Sequence, residues 1–197
     1  MVCALAAEEA AARRAGARVA RVGLGATGSL PEGPLVSFGL AGALAGDLVP
    51  GTLVTATRIV DDEGRTLWEG LPAAVAEARE VVVWAASRIL DDRGERLELA
   101  ARSGAQVVDL ESGPLAASGR LVAVLRAISD TPEIRLGQLA LAARPEGGVA
   151  WAAVLKAFAT EPVTAVRTAG AARKALAALE RAAVHWSGDG RLDAHPR

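Results

Sequence analysis

Two apolar segments of this sequence end in carboxylates. Residues 107–112 contain Asp109 and Glu111, and residues 125–130 end in Asp130. The second segment also carries Arg126 among apolar neighbours, and a buried arginine needs a carboxylate partner. Acids paired beside a cation are the groups that acid–base chemistry requires. The pattern therefore predicts a functional site, although charged strand ends that only face solvent are the simpler alternative.

A glycine-rich stretch at residues 23–28 is a second candidate for chemistry. Its sequence, GLGATG, has the spacing of a dinucleotide-binding loop. That loop requires a helix directly after it, and Pro31, Gly33 and Pro34 disfavour a helix there. A plain turn and a loop beside a ribose or a water site both stay open.

A third candidate is the run of small residues within 37–44. Gly39, Ala41 and Gly42 follow an apolar segment, and residues without bulky side chains let the backbone approach a flat ligand closely. Tight packing against a helix would need the same residues, so both explanations stay open.

Strands that alternate with helices must position these stretches. Helical spacing predicts helices at 8–15, 91–103, 148–159 and 163–185, with a loop at 39–46. Apolar or β-branched runs predict strands at 2–6, 17–22, 35–38, 52–60, 81–86, 106–110 and 121–128. The alternation predicts an α/β fold with a mixed or largely parallel sheet, whose ligands gather at the carboxyl ends of strands. We expect one domain over residues 1–186 and a mobile tail at 187–197.

Composition argues against several functions. The 197 residues carry a net charge of −1 with acids and bases interleaved, so no face is expected to bind nucleic acid. The single Cys3 fits a buried thiol in a reducing compartment, and His185 and His195 lie too far from other ligands for a metal site. No apolar run reaches the roughly 20 residues that span a bilayer. The start does not resemble a signal peptide, so we expect a cytoplasmic protein.

Four motifs, in order, resemble the purine nucleoside phosphorylase and nucleosidase superfamily over residues 2–131. They are ALAAEE at 4–9, GLAG at 39–42 followed by PGTLV at 50–54, DLE at 109–111, and RAISD at 126–130. The resemblance implies a three-layer αβα fold around a mixed, largely parallel sheet, in a shortened form and with no cofactor. Among its branches, the chain looks most like methylthioadenosine/adenosylhomocysteine nucleosidases and hopanoid-associated phosphorylases.

The resemblance also implies roles for the acids in cleaving an N-glycosidic bond. Asp130 would protonate the departing purine, and Glu111 would accept hydrogen bonds from the ribose 2′ and 3′ hydroxyls and face the cationic sugar. Glu8 or Glu9 would activate the attacking water, and the ungapped alignment favours Glu9. Arg126 would hold the geometry of the acids.

Further residues are implied to contact the substrate, although the aromatic residue that stacks on the base in relatives is absent. Ser129 would hydrogen-bond to Asp130. The remaining contacts would come from Gly39, Leu40, Ala41, Gly42, Ile89, Leu90 and Leu110.

Water is favoured over phosphate as the nucleophile. Phosphorylases of this superfamily place a phosphate-binding arginine at the position of Ser37, since arginine offers two donors to a phosphate; Arg13 or Arg14 could substitute. The implied substrate is a 5′-modified adenosine, such as methylthioadenosine, adenosylhomocysteine, a futalosine-like compound or an adenosyl-lipid.

A non-catalytic function, contact with a membrane and the assembly of the chain stay open. The chain could be a non-catalytic nucleoside-binding protein of the same fold. The helix at 163–185 could rest on a membrane surface, although an amphipathic helix that covers the sheet is the favoured interpretation. A homodimer is expected from the resemblance alone.

Overall fold

The computed structural model describes residues 1–44, 47–137, 144 and 146–184. These residues form eight strands and five α-helices. The strands are β1 (Val2–Cys3), β2 (Ala20–Arg21), β3 (Leu35–Ala43), β4 (Leu53–Val60), β5 (Thr66–Glu69), β6 (Arg79–Ala85), β7 (Val107–Asp109) and β8 (Leu121–Asp130). The helices are α1 (Ala6–Arg14), α2 (Arg93–Ser103), α3 (Ser112–Ala117), α4 (Trp151–Thr160) and α5 (Pro162–Val184). Gly46, His185 and the predicted tail at 187–197 lie outside the described residues.

Five strands close on themselves in the order β3, β7, β6, β4 and β8. The closing pair is β3 with β8, which run parallel from Leu35 opposite Leu121 to Gly42 opposite Asp130. Parallel and antiparallel pairs both occur, so the α/β class with a mixed sheet is confirmed. The three-layer arrangement is not confirmed, because the closed strands form a barrel. β1 and β2 extend the sheet beside β3, and β5 pairs with β4.

Most predicted elements are confirmed within a few residues. Helix α2, for example, begins where the Asp92 side chain accepts the Glu95 N–H at 2.9 Å and ends at Gly104, whose φ is 69°. Such a side-chain cap and a left-handed glycine are standard signals for the two ends of a helix. Two elements were missed: β5 is mostly exposed, and α3 has only six residues, so neither shows an apolar period.

The loop predicted at 39–46 is wrong at its start, because β3 continues to Ala43. A carbon at Cβ of Gly39 would lie 2.5 Å from Arg126 Nη1 and 2.7 Å from Glu8 Oε1. One at Gly42 would lie 2.8 Å from Asp130 Oδ2. The glycines are therefore required by charged side chains that pass close to a strand, and not by a turn.

Helix α5 covers the barrel at β8 and also packs on α1. Its inner face consists almost entirely of small side chains, which let a helix approach closely: Ala165, Thr168, Ala171, Ala175, Ala178, Leu179, Ala182 and Ala183. This packing is what the favoured interpretation of the helix requires, whereas contact with a membrane stays an untested alternative. Among the described residues, no helix combines the length and the apolarity needed to cross a bilayer.

Candidate active site

A cavity of about 290 Å³ opens between α1, β3, the end of β7, the end of β8 and α5. The predicted site residues in its lining are Glu8, Leu40, Ala41, Gly42, Ile89, Leu90, Leu110, Glu111, Ser129 and Asp130. The closed barrel brings them together, because β8 pairs with β3 on one side and β7 pairs with β3 on the other. Acids that are distant in the sequence therefore share one cavity.

Three predicted residues lie outside this lining. Glu9 points away from the cavity and forms ion pairs with Arg13 at 2.7 Å and with Arg21 at 3.6 Å. Arg126 is fully buried behind the acids. Gly39 does not line the cavity, but its Cα is next to the side chains of Glu8 and Arg126. The preference of the ungapped alignment for Glu9 thus conflicts with its position, since Glu8 is the acid of α1 that lines the cavity.

Backbone N–H groups fix Glu8 in place. Its Oε1 accepts from Leu40 at 2.7 Å, and its Oε2 accepts from Ala4 at 2.9 Å and from Leu5 at 2.8 Å. Burial raises the pKa of Glu8, although these N–H groups and the nearby Arg126 oppose the shift. Because it lies in the first turn of α1, the carboxylate also benefits from the positive end of the helix dipole.

Arg126 joins Asp109, the last residue of β7, to Glu111, which follows the strand. Its Nη2 lies 2.6 Å from Asp109 Oδ2 and 3.4 Å from Glu111 Oε2, and donates to Ser37 Oγ at 2.8 Å. The partner that a buried arginine needs is therefore Asp109 first and Glu111 second. Among the buried side-chain atoms of the described residues, Arg126 Nε is left without a hydrogen-bond partner.

The site also disturbs the ionisation of Glu111. Burial, followed by the nearby Asp109 and Glu8, raises the pKa of Glu111 to about 7, against the lowering effects of Arg126 and of a hydrogen bond from Gly25. The Gly25 N–H donates to Glu111 Oε1 at 3.1 Å. The glycine-rich stretch at 23–28 is thus a short turn at the site, and no helix follows it within residues 27–34.

Asp130 ends β8 with both carboxyl oxygens occupied. Ser129 Oγ donates to Oδ1 at 2.7 Å, and the Nη2 of Arg96 donates to Oδ2. Arg96 is buried in the cavity wall and was not predicted from the sequence. The buried face of α2 consists of Arg96, Leu99 and Ser103, and a face with two polar residues is not recognised as buried. The α5 residues Thr168, Ala169 and Ala172 also line the cavity and carried no recognisable signal.

Acids outnumber bases around the cavity. The buried acids Glu8, Asp109, Glu111 and Asp130 lie beside two buried arginines, Arg96 and Arg126, and each of the six is 5% exposed or less. Arg88 also lines the cavity, but it is paired with Glu95. Water screens charges weakly at such burial, so each of these acids acts strongly, when ionised, on anything that enters. The arrangement suits a reaction in which positive charge develops on the substrate.

Gly39→Ala should lower the free energy of unfolding by roughly 1–3 kcal/mol, because overpacking forces a buried neighbour to move. The added methyl would meet Arg126 and Glu8, and the ionic contacts of Arg126 leave it little freedom to move. Gly170→Ala is the matched control, since its Cβ would meet nothing within 4 Å on α5. Urea unfolding of both variants measures the difference. Equal stability of the two would show that the close approach at Gly39 is not real.

Neither a protein-family model nor a curated protein sequence matches the chain. Solved structures do match it. A mutant of the Helicobacter pylori methylthioadenosine nucleosidase with 5′-methylthioadenosine in its active site is 13% identical, with a TM-score of 0.61 over 96% of this chain and 97% of that one. Futalosine hydrolase of Helicobacter pylori is 14% identical, with a TM-score of 0.59 over 91% and 92%.

A plant enzyme gives the same result. The 5′-methylthioadenosine nucleosidase of Arabidopsis thaliana is 13% identical, with a TM-score of 0.55 over 96% of this chain and 95% of the other. Because identity is low, these matches establish the fold. At that level they confirm the predicted resemblance to the nucleoside phosphorylase and nucleosidase superfamily.

Proposed function

Because the chain has the fold of these nucleosidases, we propose that it hydrolyses the N-glycosidic bond of a purine nucleoside, specifically a 5′-modified adenosine. The observation that carries the proposal is the convergence of Glu8, Glu111 and Asp130 on one cavity. These three acids come from α1, from the residues after β7 and from the end of β8. Acids at three points around one space could serve a base, a sugar and a water separately.

In the proposed reaction, Asp130 gives a proton to the five-membered ring of the purine. The bond between C1′ and N9 then breaks with its electron pair moving to the base, which leaves a ribosyl cation. Ionised Glu111 accepts hydrogen bonds from the ribose hydroxyls and stabilises the cation. Water attacks C1′ and gives a proton to Glu8, so the proton lost by Asp130 is balanced by the one that Glu8 gains.

Water is supported as the nucleophile because none of the three positions considered for a phosphate-binding arginine offers a free arginine to the cavity. Ser37 is buried and accepts a hydrogen bond from Arg126, so the position offers no free cation. Arg13 is paired with Glu9 and Arg14 with Glu180, and both arginine side chains are more than half exposed. Neither of the proposed substitutes lines the cavity.

The identity of the 5′ substituent and the assembly of the chain do not follow from the fold. Methylthioadenosine is the first substrate to test, because a nucleosidase that resembles this chain was solved with it in the active site. A homodimer and a cytoplasmic location stay predictions. A thermal shift caused by nucleosides without release of free base would instead indicate the non-catalytic binding protein.

Glu8→Gln is expected to reduce kcat for base release by about 10²-fold, because an amide cannot take the proton of the attacking water. Glu9→Gln on the same helix should stay within about threefold of the parent, since Glu9 faces Arg13 outside the cavity. Chromatographic measurement of free adenine from methylthioadenosine compares the two variants. If Glu9→Gln loses activity and Glu8→Gln keeps it, the assignment of the water-activating acid is reversed.

A further inference from the structure

Arg96 is a large buried side chain of the cavity wall that the proposed reaction has not yet used. It lies in the first turns of α2 and is 1% exposed. Its Nε and Nη2 donate to the Leu90 carbonyl at 3.1 and 2.5 Å, and its Nη1 donates to the Ala43 carbonyl at 3.0 Å. These bonds hold the guanidinium between the loop before α2 and the end of β3.

The guanidinium and Ser129 together hold the carboxyl group of Asp130. Arg96 Nη2 donates to Oδ2, and Ser129 Oγ donates to Oδ1 at 2.7 Å. Gly42 leaves room for this contact, because a Cβ there would lie 2.8 Å from Asp130 Oδ2 and 3.3 Å from Arg96 Nη1. Three elements thus cooperate to place one cation against one carboxyl group.

Proton donation by Asp130 creates a charge that this cation can stabilise. When the proton has moved to the purine and the glycosidic electron pair has moved to the base, Asp130 remains as a carboxylate at 4% exposure. A buried carboxylate without a partner is costly, whereas charge-assisted hydrogen bonds from a guanidinium stabilise it strongly. The free energy of proton transfer from Asp130 to the purine therefore depends on the group that lies beside Asp130 Oδ2.

We propose that Arg96 makes Asp130 an effective proton donor by stabilising the carboxylate that the transfer leaves behind. The inference rests on the proposed function, and it assigns Arg96 as a positioning and charge-balancing residue. No other charged side chain of the described cavity wall can do this. Arg88 pairs with Glu95, and the remaining charged side chains of the wall carry the same sign as the product: Glu8, Asp109 and Glu111.

A purely structural ion pair would behave differently. It would only tie α2 to β8, and its loss would lower stability and activity together at every pH. A counter-charge for the acid changes the pH dependence as well, because a carboxyl group that loses a cationic neighbour holds its proton more tightly. The pH profile therefore separates the two roles.

The test compares Arg96→Met and Arg96→Lys with the parent, using methylthioadenosine and adenosine from pH 5 to 9. Arg96→Met should lower kcat at the pH optimum by roughly 30- to 100-fold with KM within about threefold. The decline of activity on the alkaline side should move to higher pH, and Arg96→Lys should recover part of both changes. Arg102→Met is the matched control, since Arg102 is an exposed arginine of the same helix and should behave as the parent.

Other outcomes decide against the inference in distinguishable ways. If Arg96→Met and Arg96→Lys lose activity while the pH profile keeps its shape and position, Arg96 only braces the fold and the inference is wrong. If Arg96→Met does not fold, the profile of Arg96→Lys gives the same decision. If the folded parent releases no base from either nucleoside, the proposed function itself has failed.

Discussion

Replacing Asp130 with asparagine is expected to lower kcat for purine release by about 10³-fold, since general acid catalysis contributes 10²- to 10⁴-fold. The amide cannot supply the proton that makes the purine a better leaving group. Its one carbonyl oxygen can still accept from Arg96, and its NH2 group can donate to Ser129 Oγ, whose hydroxyl then donates to the Ala41 carbonyl, so the shape of the cavity should be kept. The expected KM stays within a few-fold of the parent, because the loss falls on the chemical step. Stopped-time measurements of free base at saturating substrate give the comparison.

Two controls separate lost chemistry from lost structure in this variant. Asp130→Asn changes the group that the buried Arg96 guanidinium contacts, and a changed partner for a buried charge can lower stability as well as activity. The double variant Arg96→Met with Asp130→Asn removes that charge and should be equally inactive. A 7-deaza nucleoside, which has carbon in place of N7, should bind to the parent and resist cleavage. Normal turnover by Asp130→Asn, or cleavage of the 7-deaza compound, would mean that Asp130 is not the acid.

Glu111→Gln should lower kcat by about 10²- to 10³-fold, the usual effect of removing one preorganised electrostatic contact to a charged transition state. The same change should stabilise the protein at pH 8. The folded-state pKa of Glu111 lies at about 7, above the ordinary value of 4.5. Ionising this buried carboxyl therefore costs up to roughly 3 kcal/mol at high pH, and glutamine avoids that cost.

The sign of the pH dependence follows from the raised pKa of Glu111. A folded state that binds the proton more tightly is favoured at low pH, so this contribution to stability is full below pH 4.5 and is lost as the pH rises to about 7. Activity runs in the opposite direction, because only ionised Glu111 stabilises the cation, and should rise through about pH 7.

Chemical unfolding and kcat measured from pH 5 to 9 test both expectations for Glu111→Gln. Glu98→Gln on the exposed face of α2 is the control and should change neither quantity. A Glu111→Gln variant that is less stable than the parent at pH 8 and equally active would refute both roles of Glu111.

The fold could be read from the sequence where periodicity and turn signals are local. Helix α2 is bounded by Asp92 and Gly104, which act on their immediate neighbours, and its bounds were predicted within two residues. The closure of the barrel could not be predicted, because it depends on the pairing of β8 with both β3 and β4. That pairing is long-range and leaves no periodic trace in either segment.

The candidate site shows the same division. Glu111 and Asp130 could be proposed because each follows an apolar run, and a buried Arg126 implied a nearby acid. The choice between Glu8 and Glu9 could not be made, since it depends on the rotation of α1 against β3. Arg96 could not be predicted for a similar reason, because the sequence does not indicate that the partner of this α2 residue is on β8.

The most direct test of the account is the crystal structure of the protein with adenine and a ribose mimic. We predict that both ligands occupy the cavity, with the Glu111 carboxylate accepting hydrogen bonds from the sugar hydroxyls and the Asp130 carboxyl group within hydrogen-bond distance of purine N7. Ligands that bind elsewhere, or that enter the cavity without contacting Glu111 and Asp130, would contradict the proposal that Glu111 binds the sugar and Asp130 binds the purine of one nucleoside.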